Sequence, residues 1–194
     1  MATFNGKSIL ICGVGGQGTL LMSKTLTAGL VQAGYDVKMS EVHGMAQRGG
    51  SVSTQVRYGE KVFSPIIGRG EADILVAFEK LEAARYSDLL KIGGTALIND
   101  YEVVPLPVSS GAAEYPQNIV EQMQRSFDVS VIPASTLAKG LGNIRCTNIV
   151  LLGALVRAFH LESIDWNAAL TESVPPKALA LNLAAFDAGY RFEK

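Results

Sequence analysis

A glycine-rich loop near the start of the chain is the first segment that could do chemistry. Gly13, Gly15, Gly16 and Gly18, with Gln17 between them, fit the pattern GxGxxG. In this pattern the first glycine permits a tight turn, the second lets a phosphate approach the backbone, and the third lets a helix and a strand pack closely. The N–H groups that begin the following helix offer partial positive charge to an anion. The loop therefore predicts a phosphate site.

A second segment combines glycines with polar side chains. Its candidate binding residues are Glu41, His43, Gln47, Arg48, Gly49, Gly50 and Ser51. An arginine between flexible neighbours can hold a phosphate or a carboxylate with a fixed, always charged fork, although a salt bridge to a partner chain explains Arg48 equally well. Glu41 either orients Arg48 or His43 or caps the end of a strand. His43 and Ser51 have plainer interpretations as a packing histidine and a turn-forming serine.

The elements that must position these two loops alternate between strand and helix. Residues 8–12 form an apolar run typical of a strand buried on both faces, and the spacing of Met22, Leu26 and Leu30 indicates a helix after the first loop. Further strands are predicted over residues 37–42, 52–56, 73–78, 96–98 and 129–132, and further helices over residues 79–91, 119–127, 147–159 and 179–190.

This alternation predicts an α/β fold, a mostly parallel, Rossmann-like layered sheet with helices on both faces. No linker divides the chain, so we expect a single domain over residues 1–194. Ligands of such sheets bind beyond the carboxyl ends of the strands, and both loops are expected to meet in one crevice there. We also expect Ser135 to cap a short helix, and residues 103–108 to form an edge strand or a loop.

Composition excludes several classes of protein. Of 194 residues, 48% are hydrophobic, and 17 basic against 18 acidic side chains leave a net charge of −1, which argues against a general nucleic-acid binder. The two cysteines cannot supply an iron–sulfur cluster or a structural zinc site. Cys12 is expected to be inert core, whereas Cys146, just before a helix, could have a lowered pKa. With no signal peptide and no long apolar run, we expect a cytoplasmic protein with neither a membrane nor a nucleic-acid partner.

The two loops in this order closely resemble the gamma-type domain of the 2-oxoacid:ferredoxin oxidoreductases. The segment His43-Gly-Met-Ala-Gln-Arg-Gly-Gly50 is most similar to that of the beta subunit of indolepyruvate ferredoxin oxidoreductases, and the similarity continues through residues 73–77, 148–154 and 174–177. Enzymes of this family decarboxylate a 2-oxoacid on thiamine diphosphate, pass electrons through [4Fe-4S] clusters to ferredoxin, and transfer the acyl group to coenzyme A.

The resemblance also implies how the cofactors are divided between subunits. The family's thiamine diphosphate site needs a Gly-Asp-Gly sequence, which this chain lacks. Thiamine diphosphate, Mg and the [4Fe-4S] clusters are therefore expected in a large alpha subunit, through which ferredoxin is reached. The present chain would bind no cofactor and no metal alone and supply no catalytic residue. It would complete the active site and contribute to binding coenzyme A as a co-substrate.

Two alternatives remain open from the sequence. One is a stand-alone NAD- or nucleotide-binding Rossmann-type protein, in which Glu41 holds a ribose. The other is a purely structural subunit whose glycine loops pack against the partner and bind nothing.

The missing Gly-Asp-Gly and the two cysteines give a first prediction. The purified chain should be colourless and should not oxidise 2-oxoacids, which absorption spectra, iron and sulfide analysis and a viologen-reduction assay will check. A brown preparation with stoichiometric iron and sulfide would contradict it.

Overall fold

The computed structural model describes residues 6–44 and 49–193. Its strands are β1 (Gly6–Val14), β2 (Asp36–His43), β3 (Ser51–Gly59), β4 (Ala72–Ala77), β5 (Leu90–Asn99) and β6 (Asp128–Ile132). Its helices are α1 (Thr19–Gln32), α2 (Lys80–Arg85), α3 (Leu106–Ser109), α4 (Ile119–Met123), α5 (Ala134–Gly140), α6 (Thr147–Ala158), α7 (Trp166–Ser173) and α8 (Pro176–Tyr190).

The six strands form one sheet in the order β2-β3-β1-β4-β5-β6. The pairs β1–β4, β4–β5 and β5–β6 are parallel, whereas β3 runs antiparallel to both of its neighbours. Five strands therefore point the same way, and the predicted mostly parallel α/β sheet is confirmed. The strand that contains Glu41 is not a neighbour of β1, because β3 lies between them.

Helices cover both faces of this sheet, as predicted. Successive side chains of a strand point to opposite faces. Ile9 and Ile11 of β1 accordingly belong to the cluster that includes α1, α6 and α8, whereas Leu10 and Cys12 belong to the cluster beneath α2 and α4. All four are fully buried, which explains why β1 is apolar without alternation. In the described part of the chain no helix combines the length and the hydropathy needed to cross a membrane.

The two longest helices of the second half, α6 and α8, cross in backbone contact. A Cβ atom on Gly153 would lie 2.1 Å from the carbonyl oxygen of Phe186, and one on Gly189 would lie 1.8 Å from that of Val150. Ten consecutive residues of α6, Thr147 to Val156, are buried. The helix predicted over residues 147–159 is thus enclosed because α8 approaches it closely enough to exclude side chains at the crossing point.

Several boundaries differ from the sequence expectations. The helix predicted over residues 79–91 ends at Arg85, because the backbone then turns and Leu90 already pairs with Ala72 in the sheet. Residues 103–108 do not form a strand; Pro105 precedes the short helix α3, where proline suits the first turn.

Two further differences lie in the second half of the chain. Ser135 does not cap α5, since Ala134 begins that helix and the Ser135 hydroxyl accepts a hydrogen bond from Asn99. The helix α7, capped by Asp165, was not predicted.

The crossing of α6 and α8 predicts a strong packing effect. Gly153→Ala should lower the free energy of unfolding by about 3 kcal/mol, because its methyl group overlaps backbone that cannot move alone. Gly140→Ala is the matched control, since nothing lies within 4 Å of a Cβ placed there, and it should be neutral or slightly stabilising. Urea denaturation of the two variants will compare them; equal stabilities would mean that the helices do not cross at these glycines.

Candidate functional site at the carboxyl edge of the sheet

The first glycine loop joins β1 to α1 and owes its glycines to close neighbours. A Cβ on Gly13 would lie 2.8 Å from Cβ of Phe78, at the end of β4, and one on Gly18 would lie 2.8 Å from Nδ2 of Asn148 in α6. Gly16 and Gly18 also have φ angles of 103° and 88°, which L side chains rarely adopt. The third glycine of the motif therefore serves contact between α1 and α6 rather than contact between helix and strand.

Most of the polar groups in this loop bond to the chain itself. The Gln17 side-chain oxygen accepts from the N–H of Val14 at 2.7 Å. The N–H of Gly15 donates to the carbonyl of Gly50 at 2.9 Å, and its own carbonyl accepts from Gly49 at 3.4 Å. The N–H of Gly15, which the motif predicts to face a phosphate, is thus hydrogen-bonded to the second loop. Within the part of the chain that the structure describes, the N–H groups of Gly16 and Gly18 have no acceptor.

The second loop meets the first through the same pair of bonds. Gly49 and Gly50 lie beside Gly15, so the edges of the two predicted loops are brought together at the carboxyl end of β1. Gln47 and Arg48 lie outside the described residues, and their roles stay predictions. Before the gap, the N–H of Gly44 donates to the carbonyl of Ser51 at 3.3 Å, which closes the base of the β2–β3 hairpin.

Glu41 and His43 form a pair on β2. Oε2 of Glu41 lies 3.4 Å from Nε2 of His43, so the carboxylate is within reach of the histidine, and its role in orienting His43 or Arg48 stays a prediction. The other oxygen, Oε1, is buried and has no hydrogen-bond partner among the residues described. Because β3 separates β2 from β1, this carboxylate belongs to a strand two spacings, roughly 10 Å, away from β1. The strand order therefore removes the geometric basis for NAD binding, in which the ribose-binding acid ends the strand beside the glycine loop.

The Ser51 hydroxyl contacts a buried carboxylate rather than the open crevice. It donates to Oε2 of Glu82 and lies 3.2 Å from the Tyr86 hydroxyl, while Oε1 of Glu82 accepts from Nε of Arg85 at 2.9 Å. The Glu82 side chain is only 5% exposed. Ser51 therefore serves as a hydrogen-bond donor to a buried carboxyl group, a role that the sequence did not suggest.

Both cysteines are unreactive by position. Burial raises the pKa of the Cys12 thiol well above its usual value, and the carboxylates of Glu82 and Glu79 raise it further. Desolvation also raises the pKa of Glu79. The expectation that the Cys146 pKa is lowered is wrong, because burial raises that pKa instead. Among residues 6–44 and 49–193, no three metal-ligating side chains converge.

A cavity of about 160 Å³ opens beside the first loop, at the same edge of the sheet. Its lining residues come from the ends of four strands and the start of α6: Gly16, Gln17, Phe78, Asn99, Tyr101, Ser135, Ile144, Arg145 and Thr147. Sequence analysis missed it, apart from the loop itself. The sequence feature that could have predicted this cavity is the pair of polar residues, Asn99 and Ser135, at or just beyond the carboxyl ends of β5 and β6. A larger groove of about 330 Å³ runs along one face of β5 and β6, from Thr95 and Asp128 to Ile132, and is bordered by α6.

The contact between Ser51 and Glu82 predicts a cost in stability. Ser51→Ala should lower the free energy of unfolding by about 1–3 kcal/mol, because a buried carboxylate oxygen loses its donor. The control is Ser109→Ala, whose exposed hydroxyl bonds only within its own turn and whose loss should change stability by less than about 0.5 kcal/mol. Thermal unfolding will measure both; an unchanged Ser51 variant would show that the hydroxyl is not committed to Glu82.

Comparison with known proteins accords with this geometry. Residues 8–192 match the family described as pyruvate ferredoxin/flavodoxin oxidoreductase. The chain is 40% identical over 193 residues to the indolepyruvate oxidoreductase subunit IorB of Pyrococcus horikoshii, covering 96% of each chain.

Solved structures share the fold. The gamma subunit of a keto/oxoacid ferredoxin oxidoreductase from Geobacter sulfurreducens superposes with a TM-score of 0.70 at 24% identity, covering 95% of this chain and 96% of that one. A 2-oxoglutarate:ferredoxin oxidoreductase from Magnetococcus marinus superposes with a TM-score of 0.74 at 24% identity, covering 97% of this chain and 31% of that one. The resemblance to gamma-type subunits is thereby confirmed, and the chain belongs to the pyruvate ferredoxin/flavodoxin oxidoreductase family.

Proposed function

We propose that the chain is the accessory subunit of a cytoplasmic 2-oxoacid:ferredoxin oxidoreductase that acts on indolepyruvate and other arylpyruvates. It completes the active site and contributes to binding coenzyme A. The substrate assignment is supported by the name of the Pyrococcus horikoshii relative. The coenzyme assignment is supported by the Magnetococcus marinus enzyme, which is described with 2-oxoglutarate, coenzyme A and succinyl-CoA bound.

One observation carries the site assignment. The pair of backbone hydrogen bonds between Gly15 and residues Gly49 and Gly50 joins both glycine loops at one place on the carboxyl edge. This is where α/β sheets bind their ligands. The N–H groups of Gly16 and Gly18, which have no acceptor among the described residues, can donate to a phosphate oxygen there, and the sequence adds the guanidinium of Arg48 within the second loop.

The electron-transfer cofactors belong to a partner in this proposal. Thiamine diphosphate with Mg supplies decarboxylation, and [4Fe-4S] clusters carry electrons to ferredoxin, all within a large alpha subunit. The residues of this chain do not fit a [4Fe-4S] cluster, because Cys12 and Cys146 are both buried within the fold and such a cluster needs four thiolates. The role of this chain is to present the two glycine loops to the partner as one continuous surface.

Exposed apolar side chains are consistent with a subunit that functions in a complex. Phe63, Ile92 and Leu106 are 83%, 91% and 79% exposed. Leu106 begins the short helix α3, which follows β5 in the chain. Obligate complexes bury large apolar areas of this kind, so we expect tight association with the alpha subunit.

The role of Arg48 is tested in the reconstituted complex. Arg48→Ala should raise the coenzyme A concentration needed for half-maximal ferredoxin reduction about tenfold to a hundredfold, because a charged hydrogen bond to a ligand contributes about 1.5–3 kcal/mol. Decarboxylation of the 2-oxoacid on thiamine diphosphate should stay nearly intact. Steady-state assays at varied coenzyme A measure the first quantity and release of carbon dioxide the second.

The control for this experiment is Arg69→Ala, which removes an exposed arginine that pairs only with Asp88 at 3.2 Å. It should leave both measurements unchanged. If Arg48→Ala dissociates the complex, as followed by size-exclusion chromatography, the arginine is an interface residue and the ligand assignment is wrong. An unchanged coenzyme A dependence in an intact complex supports the purely structural subunit instead.

A further inference from the structure

The cavity beside the first glycine loop contains a cation that has no partner of its own. Arg145 lines it, is exposed, and forms no ion pair with any residue that the structure describes. The acidic side chains that follow β5, Asp100 and Glu102, are both paired with Lys80, at 2.8 and 3.0 Å. Lys80 donates hydrogen bonds to both carboxylates. These bonds, of which the one to Asp100 has the largest effect, raise the Lys80 pKa to about 12. The charge of Arg145 is therefore left for a ligand.

A hydroxyl group in the wall of the cavity is positioned as a donor. The buried amide of Asn99 donates to the carbonyl of Phe78 at 3.0 Å and to Oγ of Ser135 at 2.8 Å. Ser135 is thus an acceptor toward the interior. Thr147 donates to the carbonyl of Ile144 at 2.7 Å, and its hydroxyl lies 3.5 Å from Oγ of Ser135, which is again the acceptor. Ser135 donates to no residue that the structure describes, so its hydrogen is available to an acceptor inside the cavity.

The backbone adds positive potential at the same place. Nδ2 of Asn148 donates to the carbonyl of Gly18 at 3.2 Å, which ties the first turn of α6 to the first turn of α1. Neither helix has an acidic residue in its first turn. Helix starts carry partial positive charge, so two of them reinforce Arg145 and the free N–H of Gly16.

The size and chemistry of the cavity restrict its occupant. The three groups identified above, the N–H of Gly16, the hydroxyl hydrogen of Ser135 and the guanidinium of Arg145, are donors or a cation, which selects an anion rich in acceptors. A volume of about 160 Å³ is well below that of sites that enclose a whole ligand, so it takes one part of a longer molecule. We propose that the cavity lined by Gly16, Ser135 and Arg145 is a phosphate-binding subsite. On the function proposed above, the phosphate it holds belongs to coenzyme A.

The subsite is tested by calorimetry on the full chain with inorganic pyrophosphate. Wild-type protein should bind it, and Arg145→Gln should weaken binding about tenfold to a hundredfold. Arg145→Lys, which keeps the charge and loses the fork, should fall between them. The control Arg125→Gln removes an exposed arginine just before β6, at the opposite edge of the sheet, and should bind like wild type. Ser135→Ala gives an independent measure of the hydroxyl.

The outcomes separate the subsite from the proposed function. If Arg145→Gln binds pyrophosphate as wild type does, or if wild type binds none, the subsite is overturned. If coenzyme A competes with pyrophosphate and pantetheine, which has no phosphate, does not, both the subsite and its assignment to coenzyme A stand. If binding depends on Arg145 but coenzyme A does not compete, the subsite stands for another phosphate ligand and the coenzyme assignment falls.

Discussion

The antiparallel pairing of β1 with β3 determines where everything else in the site can lie. The ladder runs from Gly6 opposite Gly59 to Val14 opposite Ser51, and the bonds from Gly15 to Gly49 and Gly50 continue it beyond the strands. Backbone groups must be paired when they leave water, and the loop satisfies them with the second loop instead of a ligand. The same pairing places β3 between β1 and β2 and so separates Glu41 from the first loop.

This arrangement shows that a glycine motif predicts local structure but not the tertiary neighbours of its glycines. The pattern GxGxxG led to a strand, a tight loop and a helix, and all three are present. It did not reveal which neighbours require the glycines, because Phe78 and Asn148 come from segments distant in sequence. The position of Glu41 in the sequence likewise matched a Rossmann fold, but in the structure β3 separates Glu41 from the first loop. The order of strands in a sheet depends on tertiary pairing, which the spacing of residues along the chain does not specify.

Long elements with regular apolar spacing were predicted well, and short ones were not. The helices α1 and α8 follow from periodicity over many residues, and α6 and β1 from nearly unbroken apolar runs. The ends of α2 and the existence of α3 and α7 depend on single capping or pairing events, such as Leu90 with Ala72. The contact of Ser51 with Glu82 could not be predicted, because it joins residues thirty-one positions apart. The cavity around Arg145 required knowing that four strand ends and the start of α6 meet.

The backbone contact between α6 and α8 has a consequence for how the protein is made. Because α6 is apolar on nearly every side and α8 follows it in the chain, the helix that shields α6 is translated after it. Until α8 emerges from the ribosome, the nascent chain presents an uncovered apolar helix to its surroundings. Because the two helices cross at glycines, their backbones meet without intervening side chains, and α6 does not have to repack when α8 docks. Until α8 docks, the growing chain is therefore open to chaperones and to premature encounters with other chains.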